Sequence, residues 1–99
     1  LKVGIDIEKI RSRIVNISTK FIDQKERKTI DSSTATLFWC IKEAIYKWHQ
    51  KGSINFIKDI KILKFKLSKK GVVSAIFKKT KLILNYEKID DHYLVCICR

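Results

Sequence analysis

At 99 residues the chain has room for one compact domain and not two. Hydrophobic residues make up 45% of it and charged residues 32%, a balance that excludes a disordered chain and supports a real core. The formal net charge of +12 points to a polyanionic partner: nucleic acid, an anionic membrane surface, a phosphate-rich small molecule or an acidic protein.

Residues 2 to 8 alternate, with Val3, Ile5 and Ile7 pointing one way and Gly4, Asp6 and Glu8 the other. That pattern predicts a half-buried strand with a polar face. A chain that opens in a strand and contains no methionine is expected to be a fragment. Residues 11 to 30 carry Ile14, Ile17, Phe21 and Ile30 among many charges and predict one or two short helices.

The stretch "DSS" at 31 to 33 is a helix-start signal, since Asp or Ser can accept the first free backbone N–H groups. Leu37, Cys40, Ile41, Ala44, Ile45 and Trp48 then recur at helical spacing, and Gly52 is the expected terminator. The rest reads as strands. Ile60 and Ile62 are expected inward, with Leu63 or Phe65 as further candidates, and Gly71 is expected to turn the chain into "VVSAIFKK". "KLILNYEKI", a polar turn at Asp90 and Asp91, and "YLVCIC" complete the pattern. The predicted fold is α+β, an antiparallel sheet with one long helix packed across it, forming a single domain over residues 1–99.

No apolar run approaches the ~20 residues that span a bilayer. The three cysteines do not match a zinc-ligand spacing, so reduced thiols in a cytoplasmic protein are expected. Cys96 and Cys98 share one side of a strand, expected to be the core side.

Two stretches could carry chemistry. Asp6 and Glu8 share a strand face with Cα atoms roughly 6.5–7 Å apart. Two carboxylates that close repel unless a cation or a lysine answers them, and hard oxygens suit Mg²⁺. On an isolated strand such a pair is more often a solvated face. Trp39, Glu43 and Lys47 fall four apart on one helix stripe, with Lys42 and Tyr46 beside them. A surface Glu–Lys pair explains two of these residues but not the aromatics, which predict that a partner or ligand also covers this second side.

Together, "GIDIE" at 4 to 8 and W-x-x-K-E-x-x-x-K at 39 to 47 resemble the signature of the 4′-phosphopantetheinyl transferases. The likeness spans nearly the whole chain and is greatest to the second lobe of the two-lobed, surfactin-synthetase-activating type. It implies transfer of phosphopantetheine from coenzyme A to a serine of an acyl or peptidyl carrier protein. By the same resemblance Asp6, Glu8 and Glu43 correspond to Mg²⁺ ligands. Glu43 also corresponds to a group that assists serine deprotonation, and Lys47 to a lysine on the coenzyme A phosphates. Lys42 and Trp39 are motif positions assigned to coenzyme A binding. The net charge would then suit coenzyme A and an acidic carrier protein.

The sequence departs from the two-lobed type in lacking the serine–histidine element that the first lobe supplies. "KKTKLILNYEKI" also lacks the serine–histidine segment of the smaller trimeric type. The chain is therefore expected to be a severed or reduced second lobe, with the first lobe missing or self-association in its place. Two rivals stand beside this reading. One is a non-catalytic remnant that binds a carrier or partner. The other is a basic nucleic-acid-binding domain using Lys58, Lys61, Lys64, Lys66, Lys69, Lys70, Lys78, Lys79 and Lys81 with Phe65 and Phe77 interleaved.

Overall fold

The computed structural model describes residues 2–23 and 30–99. Five strands form one antiparallel sheet: β1 (Val3–Lys9), β2 (Ile60–Ile62), β3 (Lys70–Phe77), β4 (Thr80–Ile89) and β5 (His92–Cys98). Their order is β1-β5-β4-β3-β2. The helix α1 (Ser32–His49) crosses this sheet and packs chiefly on β1 and β5. The fold is α+β, as the hydrophobic periods predict.

Asp31 starts α1 by accepting a 2.7 Å hydrogen bond from the Thr34 N–H, a cap worth about 1 kcal/mol. The helix stops at Gln50, which takes a left-handed conformation (φ 60°) while its N–H reaches the Tyr46 carbonyl. Gly52, the expected terminator, lies two residues further on. Leu37, Cys40, Ile41, Ala44 and Ile45 are fully buried against Val73, Leu82, Leu84, Tyr93, Val95 and Ile97 of the sheet.

The alternation in β1 holds, but its polar face is the one turned inward. Gly4 and Asp6 are buried and Glu8 is half-buried, whereas Val3, Ile5 and Ile7 are about half exposed. Close approach of the helix is the reason. A Cβ on Gly4 would lie 2.2 Å from the Ala44 carbonyl oxygen and 2.6 Å from the Trp48 Cβ. Only glycine lets the two backbones meet there, and the two-residue period then carries Asp6 and Glu8 to the helix side.

The opposite face of the sheet is open and mixed, with exposed apolar side chains beside Lys70, Lys81, Asn85 and Glu87. Val72 and Ile83 join Val3, Ile5 and Ile7 on it, each roughly half exposed. Cys98 is exposed there and Cys96 half-buried, which corrects the expectation that both thiols face the core. On β5 the inward set is Tyr93, Val95 and Ile97, whose larger apolar surface fills the layer under α1.

Two further expectations are corrected. The strand expected over 54–67 narrows to Ile60–Ile62, with Leu63 and Phe65 half-buried beyond its end. Gly71 lies inside β3 against the Tyr86 ring, and residues 63–69 make the reversal instead. Of the stretch read as short helices, Ser12–Ile14 and Ser18–Lys20 are 3₁₀ turns, and 24–29 lies outside the described residues. Phe21 and Ile22 from this segment form a second small core with Ala35 on the far side of α1, with Trp39 and Phe56 packed against it.

Gly4→Ala is expected to cost about 3 kcal/mol or more, because neither contacting backbone can retreat. A thermal melt should fall by more than about 10 °C, whereas Ile5→Thr on the open face should shift it by only about 3 °C or less.

Candidate active site

The contact between β1 and α1 brings the two sequence motifs together. The Asp6 side chain is 4% exposed, and the Lys47 ammonium donates to its Oδ1 at 2.6 Å. The other oxygen, Asp6 Oδ2, is buried and has no hydrogen-bond partner among the described residues. Cys40, one layer below, donates its thiol to the Asp6 carbonyl at 3.2 Å. Burial and the Asp6 carboxylate push that thiol well above its ordinary range, so it is inert as a nucleophile.

Glu8 sits beside Asp6 and is raised to about 7. Burial is the largest cause, followed by the adjoining Asp6 carboxylate. A hydrogen bond from the Trp39 side chain opposes the rise. A proton on Glu8 can therefore answer the orphaned Asp6 oxygen when no other cation does. Glu43 is also raised, by burial first and then by Asp6, with Lys47 pulling the other way. Lys47 is raised by its hydrogen bond to Asp6.

This is a site short of positive charge. Among the described residues no three Asp, Glu, His or Cys side chains are gathered as a ready metal cage. Mg²⁺ does not require one, since it takes one or two carboxylates and completes its octahedron with water and phosphate oxygens. Asp6 and Glu8 supply such a pair and Glu43 lies within their electrostatic reach. The orphaned buried oxygen and the ammonium on its neighbour both fit a cation at this point.

Trp39 reaches Glu8 at one end and packs edge-on against Phe21 at a centroid distance of 5.1 Å. The second side of the helix is thus covered in part by the chain's own segments. Beside it lies an apolar groove of about 520 Å³, lined by Ile17, Phe21, Trp39, Ile54 and Phe56 and reaching Glu43. A smaller cleft of about 210 Å³ next to Glu8 is lined by Arg11 and Arg13. Sequence reading passed over these two arginines. Their one signal was position, immediately after the strand that ends the first motif.

Lys42 does not join the cluster. It is fully buried, and its ammonium donates to the carbonyls of Phe21 and Phe56, tying the second core to the helix. The assignment of Lys42 to coenzyme A therefore has no exposed group behind it. The aromatics of the nucleic-acid reading are also spent internally. Phe77 is buried, and Phe65 packs on Phe38 and Tyr86, leaving neither as a stacking platform among the exposed lysines.

Lys42→Met is expected to destabilise the fold by about 2–3 kcal/mol, since two carbonyls lose a charged donor. Lys47→Met also leaves the buried Asp6 carboxylate without its ammonium, but its loss should be relieved by Asp6→Asn in the same chain whereas that of Lys42→Met should not, and denaturant titration of the variants separates the two roles. Glu8 sets a pH dependence. Its folded-state value lies above the ordinary 4.5, so the stability it contributes is present at low pH and is lost as pH rises toward about 7. Because Glu8 is only half-buried, the loss should be of order 1 kcal/mol. Glu8→Gln should flatten the metal-free stability profile between about pH 4.5 and 7.

A family model for the 4′-phosphopantetheinyl transferase superfamily matches residues 2–98. No curated protein matches the chain. A match that takes in all five strands and the helix makes the chain a member of the 4′-phosphopantetheinyl transferase superfamily.

Proposed function

We propose that the chain carries out Mg²⁺-dependent transfer of 4′-phosphopantetheine from coenzyme A to a serine of an acidic acyl or peptidyl carrier protein. The family match over residues 2–98 carries this reading. In the reaction the serine Oγ attacks the phosphorus that bears the pantetheine arm. A new P–O bond forms, the P–O bond to the adenosine side breaks, and adenosine 3′,5′-bisphosphate leaves.

The residues divide this work by charge. Glu43, raised by burial and by Asp6, takes the serine proton directly or through a water. Lys47, half exposed, can turn from Asp6 toward the phosphates and neutralise charge developing there. Asp6 and Glu8, with Glu43, would hold Mg²⁺, which when bound supplies charge neutralisation on the pyrophosphate. Trp39 orients Glu8 through its hydrogen bond. Lys58, Lys61, Lys64, Lys66, Lys69, Lys70, Lys78, Lys79 and Lys81 are all exposed and form the surface we assign to the acidic carrier.

The reading includes a second lobe or a second copy of the chain. The serine–histidine element is missing from the sequence, and the open face of the sheet presents Val3, Ile5, Ile7, Val72 and Ile83. Such a patch is a common mark of a protein contact. No helix of the described residues is long and apolar enough to cross a membrane. A cytoplasmic setting belongs to the proposal because coenzyme A and carrier proteins are its substrates.

Intact-mass analysis of an apo carrier protein with coenzyme A and Mg²⁺ tests the reading. The chain should add roughly 340 Da, one phosphopantetheine. Glu43→Gln and Asp6→Asn should each lower the rate by about 100-fold or more. Carrier binding without any mass change, unaffected by either substitution, would instead favour the non-catalytic remnant.

A further inference from the structure

Resting on that reading, we infer that Lys47 is a resident cation that holds the metal position until Mg²⁺ arrives, so that metal binding and coenzyme A binding are coupled through one side chain. The geometry is specific to Asp6. Its carboxylate is almost wholly buried, one oxygen held by the Lys47 ammonium at 2.6 Å and the other without a donor among the described residues. A carboxylate so placed needs a positive neighbour, and among the described residues Lys47 is the one that reaches it.

The rest of Lys47 is built for departure. Its side chain is 50% exposed, so leaving Asp6 returns the ammonium to solvent or to an anion at little cost. An ion bound to Asp6 and Glu8 would repel the ammonium and release it toward the phosphates of coenzyme A. By linkage, coenzyme A that captures Lys47 frees Asp6 for the ion, and each ligand tightens the other by the same factor. Lys9 is a natural contrast. It follows Glu8 directly in the chain, yet its ammonium faces Asp91 at 3.6 Å on the other side of the sheet.

Mn²⁺, read by the loss of its free-ion EPR signal, is the probe. Without coenzyme A, Lys47→Met should bind Mn²⁺ about tenfold more tightly than the wild type, by roughly the strength of one partly buried ion pair. Lys9→Met, with the same change in net charge, should stay within about twofold. Asp6→Asn should abolish binding. Saturating coenzyme A should tighten Mn²⁺ binding in the wild type by more than in Lys47→Met, where only direct phosphate ligation remains.

Equal affinity in wild type and Lys47→Met would overturn the inference and leave the metal assignment standing. Tightening of equal size in Lys9→Met would overturn it as well, assigning the effect to bulk charge. Failure of every variant to bind Mn²⁺ would overturn the inference together with the metal assignment.

Discussion

The crossing of α1 over β1 at Gly4 sets the rest of the molecule. With no Cβ in the way, the helix backbone at Ala44 and Trp48 comes down onto the strand. That contact determines which face of β1 is inside, and therefore where the two carboxylates of the strand go. It also fixes the phase of the helix, so that Glu43 and Lys47 arrive above Asp6 and Glu8 rather than over the middle of the sheet. A fold that buried Ile5 and Ile7 in the ordinary way would have left Asp6 and Glu8 in water, apart from Glu43 and Lys47.

Burying acids has a physical cost, and the arrangement spreads it over several groups. Asp6 is answered on one oxygen by Lys47. Glu8 is left near neutral acidity, with a proton available to the other oxygen and an indole N–H to steady its own charge. Glu43 is raised for the same reason and moderated by the same lysine. The three acids and one lysine behave as a single charge-deficient unit, the environment in which a divalent ion or a migrating proton gains most from arriving. Below it, Cys40 binds the Asp6 and Tyr93 carbonyls through its thiol, holding helix, β1 and β5 in register.

Much of this was legible in the sequence, and the failures have identifiable causes. The helix and its cap were plain because Asp31 and the apolar set from Leu37 to Ile45 each follow one strong local rule. The D-x-E pair and the W-x-x-K-E-x-x-x-K stripe were readable as motifs, and the Asp6 carboxylate does raise both Glu8 and Glu43. What failed was the sense of alternation. Period alone cannot say which face of β1 or β5 is inside, and for Cys96 and Cys98 the expected face was the wrong one. The deciding fact was a tertiary contact at Gly4 that no local pattern encodes. Lys42 was misread for a related reason: helical spacing put it beside Glu43, but the segment carrying Phe21 and the loop carrying Phe56 fold over it.

The central claim is that β1 and α1 together make one cation site whose present tenant is Lys47. A crystal of the chain grown with Mn²⁺ and coenzyme A, measured at an energy where manganese scatters anomalously, tests it most directly. The account predicts an anomalous peak within coordination distance of Asp6 and Glu8, with Glu43 close by and the Lys47 ammonium turned onto a phosphate. A peak elsewhere, or no peak with Lys47 still seated on Asp6 Oδ1, would contradict it.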